Sequence, residues 1–507
     1  MRKAVKQQML QLLTTLKDAH SEIQLHLKKK DYEKVTPLLA DCQTGALTIG
    51  NTIEEFQENQ EDIIRDLEAY CEVLFRIHTG FGQSEEGNCN KLKEELNQRI
   101  QAISRKIEEH ITVNLKVVFF PYKASMWTSL ETIWRAAQED AECDAKVVVI
   151  PYYTLDSAGN RHELVYEATQ FPDDVPIVPY NEYALEKEQP DLVFIHNPYD
   201  DTNNVTQVPE QYYSYNIKPY TGQLVYSPYG MMGYYSPQQG TFMPYMNAVR
   251  VADKILVQSE KVKQIYINHG IHREKLIALG SPKVDAIVEG IKKPKNCPEA
   301  WREKLVGRKI FLLNTHLSYF INGYIFQQKY DRKRNFSEYA HEIIFEELLN
   351  REGCALIWRQ HPLLKATLES RELFSTLNFI EECEQRIQES ENAVLDENGD
   401  YNISFGLSDA LITTYSSLVP EYMISGKPIY IYQHRLNENN CRKAPVSYLH
   451  NYYRAGRGEE AQFPKFIQMV LQGEDPLYEK RMEDVHRAFK TLDGTIGRKI
   501  YEKLKKE

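Results

Sequence analysis

No apolar run in this 507-residue chain approaches the roughly 18 residues needed to span a bilayer. Met1-Arg2-Lys3 leads into mixed polar residues rather than the unbroken apolar stretch of a secretory signal, so a cytoplasmic address is expected. Cysteine is sparse. The eight thiols, at positions 42, 71, 89, 143, 297, 354, 383 and 441, show neither CxxC nor Cys/His spacing, which argues against a structural zinc or a disulfide framework. Basic charge is in deficit as well, with 61 Lys+Arg against 72 Asp+Glu and a formal charge of −11. That balance disfavours a dedicated nucleic-acid binder, because phosphate backbones are met by basic surfaces; any polyanion site must be local. What is present, 42% hydrophobic and 26% charged residues, is ordinary for a folded chain, and the length allows about three units.

Proline is missing from the first 112 residues apart from Pro37, and apolar residues there, such as Met9, Leu12, Leu13 and Leu16, recur at helical spacing. Residues 1–112 are therefore predicted to be a helical hairpin or coiled-coil arm. A first helix ends near Lys28-Lys29-Lys30, Asp31 caps a second, and a further pair covers 51–79 and 90–112. The first 30 residues hold seven basic and two acidic side chains. A solvated helix face explains them, and the alternative is contact with an anionic membrane surface; in a scaffold the arm would assemble a homo-oligomer or dock at a membrane.

At Leu115 the texture changes to short β-branched or aromatic runs separated by helical stretches: 115–120, 146–150, 192–196, 224–226, 254–258 and 276–279. Such alternation predicts a parallel sheet covered by helices. Ser259 caps the helix after the fifth run, and a linker at Lys292-Lys293-Pro294 and Cys297-Pro298 ends this domain. A second series follows, with strands at 309–313, 355–358, 410–413 and 428–432, a long helix near 336–351, and helices from 463 to the end. The predicted fold class is α/β, with two Rossmann-like domains over 113–300 and 301–462 after the helical arm, and C-terminal helices over 463–507.

Ligands of such sheets lie beyond the carboxyl ends of the strands, near helix N-termini. Three loops of the second domain qualify. Ser416 and Ser417 follow a buried strand and open a helix, so hydroxyls and free backbone N–H groups can meet a phosphate there, although a simple helix cap explains them too. Thr315, in Asn314-Thr315-His316, holds the same strand-end position. His361-Pro362 sets an imidazole directly after a strand, where it can donate to a diphosphate oxygen, and Arg359 supplies fixed charge beside it.

Gly280-Ser281-Pro282-Lys283-Val284-Asp285, Arg359-Gln360-His361-Pro362, the stretch from Ser408 to Ser417, and Gly426-Lys427-Pro428 resemble the successive signatures of the CDP-glycerol glycerophosphotransferase family. Members make the polyol-phosphate polymers and linkers of bacterial teichoic acids. The resemblance spans roughly residues 115–460 and implies a GT-B architecture with the nucleotide donor held mainly by the C-terminal domain. It implies metal-independent transfer from CDP-glycerol or a related CDP-polyol to a polyol or glycan acceptor, lipid-linked in some cases, with release of CMP and no cofactor. Carried over by position, His361 contacts the donor diphosphate or aids departure of CMP. Ser416 and Ser417 bind donor phosphates, Glu421 reaches the ribose, and Arg359, Thr315 and Thr414 complete the donor site.

Two positions depart from the family pattern. Thr414 stands where an aspartate is common, and Ser227-Pro228-Tyr229-Gly230 replaces a Trp-His-Gly signature whose histidine is the usual candidate base. Tyrosine, with an ordinary pKa near 10, is a poor base at neutral pH. His196, leaving the strand at 192–195, is the nearest replacement, with Asp200 and Asp201 as alternatives. Tyr229 and Asp200 are expected at the acceptor. Eight of the twenty-four residues from Tyr212 to Tyr235 are tyrosine, which suits sugar or polyol recognition and interdomain packing alike. Two competing functions share these features: a nucleotide-sugar-dependent glycosyltransferase, and an inactive scaffold that works through its helical arm.

Overall fold

The computed structural model describes residues 3–56, 60–81, 86–156, 158–203, 205–232, 243–292, 297–321, 336–361, 363–398, 401–414, 416, 418–432, 453–455, 462–489 and 491–507. Its contacts form two compact units, the first comprising 1–117 with 140–145 and 189–192. Four described helices of this unit, Lys3–Lys28, Tyr32–Phe56, Glu61–Thr79 and Glu86–His110, share one apolar core. Ile63, Leu67, Tyr70, Leu74 and Ile77 recur every three or four residues along the third helix and are all buried. The second helix continues to Phe56, where the sequence places a new start at 51, because Cys42, Ala46, Ile49 and Ile53 form one unbroken buried stripe across that point. At the centre, His20 meets Tyr70 Oη at 2.7 Å and Asn97 Oδ1 at 2.8 Å, so a buried polar cluster ties three helices together with its groups paired. Among the described residues no helix is long and apolar enough to cross a membrane.

The α/β architecture lies mainly in the second unit, residues 118–139, 146–188 and 193–507. One six-stranded sheet runs in the order Cys143–Val147, Leu115–Phe120, Leu192–Ile195, Gln223–Tyr226, Lys254–Leu256, Leu276–Ile277. The other runs Ala393–Leu395, Cys354–Trp358, Lys309–Asn314, Ala410–Thr413, Ile429–Tyr432, Tyr453–Ala455, and every pairing in it is parallel. Counted along the chain, that second order is 3-2-1-4-5-6, the Rossmann order. Its central strands are buried on both faces, with Phe311, Leu312, Leu313, Leu411 and Ile412 all fully inaccessible, as a sheet covered by helices on both sides requires. Two edge strands, Ala393–Leu395 and Tyr453–Ala455, and a small antiparallel sheet of Tyr152–Leu155, Arg161–Val165 and Thr206–Gln207 escape the sequence reading. These strands have only two to five residues and leave no legible period.

Ser259 does cap the helix Glu260–Asn268, its side chain accepting the Val262 N–H at 3.3 Å. The final helix, Ile496–Lys506, returns to the first Rossmann-like domain and packs on the helix Glu131–Gln138. Asp285 Oδ2 accepts the Gly497 N–H at 2.8 Å. A side chain at position 497 would stand 2.3 Å from Thr132 Oγ1, so only glycine permits this approach. Gly280, at φ +120°, is pressed closely by Ile496. Gly280 and Asp285, at the two ends of the motif Gly280-Ser281-Pro282-Lys283-Val284-Asp285, thus anchor the C-terminal helix.

Candidate functional site

Strand order places the crevice of the second sheet between Lys309–Asn314 and Ala410–Thr413, where the chain's winding reverses. Register brings Asn314 level with Thr413 and Leu313 level with Trp358, so the loops after three strands leave the sheet at one rim. Two imidazoles meet there. The rings of His316 and His361 lie 5.4 Å apart, edge to face. Each Nδ1 accepts a backbone N–H two residues on: Ser318 N–H at 3.3 Å for His316 and Leu363 N–H at 3.2 Å for His361. A nitrogen that accepts cannot carry the ring proton, so the proton of His361 sits on Nε2; His316 Nδ1 also meets Ser318 Oγ at 2.7 Å, and with that hydroxyl donating to it the His316 proton sits on Nε2 as well. Neither Nε2 has a hydrogen-bond partner among the described residues.

Burial lowers both imidazoles, and the neighbouring His316 helps bring His361 down to about 4. Both are neutral N–H donors at pH 7. The His316 backbone N–H donates to Thr414 Oγ1 at 3.1 Å, joining the first and third loops. Ser416 Oγ accepts the Leu418 N–H at 3.3 Å, as a cap does, which leaves its O–H proton available to an anion. Ser417 lies outside the described residues, as do Tyr415 and Pro362.

Two of the other predicted donor residues, Thr315 and Arg359, are bonded within the domain. Thr315 Oγ1 is inside the domain, bonded to Tyr432 Oη and, at 3.2 Å, to His341 Nε2. Arg359 Nη1 donates to Asp396 Oδ2 at 2.8 Å and to Asn398 O at 2.7 Å, forming a buried ion pair. Glu421 is 2% exposed. Its Oε1 accepts from Lys283 Nζ at 2.7 Å, and its Oε2 has no partner. Lys283 belongs to the first Rossmann-like domain and Glu421 to the second, so this buried pair bridges them. Lys427, of Gly426-Lys427-Pro428, donates to the carbonyls of Phe405, Gly406 and Ser408 and ends the helix Asn402–Leu407.

In the first sheet, His196 is fully buried. Its Nε2 accepts the Tyr122 N–H at 3.2 Å and its Nδ1 lies 3.1 Å from Ser129 Oγ, so the ring joins the ends of two strands and has no lone pair for an acceptor hydroxyl. Burial lowers its pKa to about 3. Asp200 is raised by burial; its Oδ2 accepts from the Ser214 N–H at 2.5 Å and its Oδ1 from the Asp201 N–H at 3.0 Å. Asp201 Oδ2 accepts from Asn247 Nδ2 at 2.5 Å. Tyr229 lines a cavity of about 300 Å³ at the carboxyl ends of Gln223–Tyr226 and Lys254–Leu256; burial pushes its phenol up to about 12, which excludes it as a base near neutrality. Sequence reasoning missed His316, Asp396 and Lys283. A signal existed for each: a strand-end imidazole, an acid directly after a short apolar run, and a lysine inside a family motif.

Two Rossmann-type domains, with a C-terminal helix that crosses back to the first, define the GT-B class of transferase fold. Residues 231–506 match the model of the family described as CDP-glycerol:poly(glycerophosphate) glycerophosphotransferase, and the chain belongs to that family. No curated protein sequence matches the chain. Among solved structures it is similar to UDP-GlcNAc 2-epimerase from Methanocaldococcus jannaschii, at 14% identity over 78% of this chain and 100% of that one, with a TM-score of 0.47. A variant of the wall teichoic acid polymerase TagF soaked with CDPG gives 12% identity, 88% and 98% coverage, and a TM-score of 0.47.

Proposed function

We propose that the chain transfers a glycerol-phosphate-type group from a CDP-linked donor to an acceptor hydroxyl, with release of CMP. The acceptor oxygen attacks the β-phosphorus, the bond from that phosphorus to the bridging oxygen breaks, and CMP departs with the bridging oxygen while the hydroxyl proton is lost to solvent. The observation that carries this reading is the pair of Nε2–H donors of His316 and His361 at the switch point, with Ser416 on the adjoining loop. Donors fixed before the substrate arrives stabilise charge on the departing diphosphate without reorganising. An anion beside them raises their pKa and strengthens those hydrogen bonds.

Phosphoryl transfer through a loose transition state demands little of a base, because bond making to the acceptor lags behind bond breaking. The engaged nitrogens of His196 and the raised phenol of Tyr229 are compatible with such a route, in which positioning and leaving-group stabilisation dominate. Glu421, with Oε1 held by Lys283, offers Oε2 as the acceptor for a ribose hydroxyl. The test is CMP release from CDP-glycerol and CDP-ribitol, with UDP-sugars as controls. His361→Ala and His316→Ala are expected to lower turnover without unfolding the protein; unchanged CMP release in both variants, or protection by UDP-sugars alone in thermal unfolding, overturns the reading.

A further inference from the structure

One face of the helical arm differs from the rest in charge. The third helix, Glu61–Thr79, and the section 35–53 of the second each span nineteen residues and each leave nine side chains exposed. Six of the nine are charged in the third helix; in the second only Asp41 is. Charged and polar side chains are what a solvated helix turns to water, and the third helix fits that description. The outer face of the second helix is instead made of Thr, Ala, Leu, Pro, Gln and Asn around Asp41, and Leu47 near its middle is 55% exposed. Its threonines are paired internally. Thr36, Thr44, Thr48 and Thr52 each donate the hydroxyl proton to the carbonyl four residues back, at 3.0, 2.9, 2.8 and 2.8 Å. A hydroxyl already bonded within its own helix keeps that bond when water leaves, so this face can be covered at little polar cost.

We infer that this face pairs with the same face of a second copy of the chain, the two helices running antiparallel across a two-fold axis at Thr44. A two-fold interface sets a surface against itself, so any charge near the axis meets its like. A face cleared of charge there satisfies that condition. Other occupants fit less well: a strongly charged partner finds no opposite charge to match, and a lipid surface calls for larger apolar side chains than threonine and alanine. With Thr44 on the axis, Ala40 comes level with the partner's Thr48, and Asp41 with the partner's Leu47. Such small side chains permit a close helix approach, at the short end of about 8–10 Å between axes. The two Asp41 carboxylates stand six residues apart along the pair, about 9 Å at 1.5 Å per residue, which exceeds the Debye length of about 8 Å at physiological salt. The arm lies outside the matched family segment 231–506, and the inference is independent of the transferase reading.

Sedimentation velocity of the full chain over a concentration series tests it. The expected result is a concentration-dependent rise to twice the chain mass. Thr44→Arg sets two like charges against each other on the axis and should return the mass of a single chain, and Thr44→Glu should do the same. An equimolar mixture of the two variants should regain the doubled mass, because opposite charges then meet. Arginine and glutamate are good helix formers, and circular dichroism checks that both variants keep the parent's helical content. Glu68→Arg, on the exposed face of the third helix, should leave the parent's association unchanged. A parent that remains a single chain up to its solubility limit overturns the inference. A doubled mass that persists in Thr44→Arg does so too, as does a mixture of the folded variants that fails to reassociate. Dissociation by Glu68→Arg also counts against it, since the contact would then not belong to the second helix.

Discussion

Each Rossmann-type sheet delivers a histidine from the end of a strand near its switch point, and the two rings have different fates. His196 takes its hydrogen bond from Tyr122 N–H, on the neighbouring strand's loop, and closes the first crevice with both nitrogens engaged. His361 takes its bond from Leu363 N–H, within its own turn, and keeps Nε2 for the second crevice. The difference lies in where the backbone donor comes from. A donor across the gap makes the ring a structural link; a local donor only fixes the tautomer. Equivalent placement in the sequence therefore does not determine which role a ring takes.

The sharpest way to break this contrast is to remove each ring in turn. His361→Ala is expected to lower kcat for CMP release by about 10²–10³-fold, the range for deleting one preorganised donor, while costing about 1 kcal/mol of stability for the lost turn bond. His196→Ala should do the opposite. It leaves a cavity and an unpaired Tyr122 N–H, worth about 3 kcal/mol together, with kcat per folded molecule nearly unchanged. Urea unfolding and steady-state kinetics on both variants decide it: if His196→Ala loses turnover at full stability, the assignment of the two rings is reversed.

The strands that frame both crevices are legible because long apolar runs such as Phe311-Leu312-Leu313 and Leu411-Ile412 admit one reading in a two-sided sheet. Ser259 is legible because a cap acts locally. Arg359 and Thr315 mislead for the same physical reason as His196: their position at a strand end follows from local sequence, but the direction of their side chains is set by distant partners. Asp396 engages Arg359, and Tyr432 with His341 draws Thr315 inward. Glu421 shows the intermediate case. Its proximity to the cleft region follows from the motif, yet its ion pair with Lys283 comes from a residue 138 positions away. Family resemblance supplied the residues to consider; tertiary contacts sort them into those that face a ligand and those that hold the frame.

A smaller effect sharpens the contrast through pH. Burial holds His196 at about 3 and His341 at about 4, against about 6.5 in an unfolded chain. The native rings resist protonation that the unfolded ones accept, so the stability they contribute is fully present above pH 6.5 and is lost as pH falls toward the native values. Between pH 6.5 and 5 the loss is about 2 kcal/mol for each ring, at roughly 1.4 kcal/mol per pH unit. Urea midpoints at pH 7 and pH 5 measure it. His341→Gln is expected to shrink the pH-dependent part of the change; the same drop in the variant and the parent removes His341 from the account.

The smallest expected effect concerns two hydroxyls at equivalent strand ends. Thr315 Oγ1 is bonded inside the domain, while Ser416 Oγ caps a turn at the rim and retains its proton for a ligand. Thr315→Val keeps the shape and removes only the hydroxyl, leaving His341 Nε2 and Tyr432 Oη to lose one bond each, at about 1 kcal/mol of stability. Because that hydroxyl faces the interior, the Kd for CDP-glycerol should stay within about twofold of the parent, whereas Ser416→Ala should weaken it by about tenfold through loss of one hydrogen bond to a charged group. Calorimetric titration of both variants separates the two positions. Equal weakening would mean that Thr315 rotates into the crevice when the donor binds, and strand-end placement would then outweigh the buried network around His341.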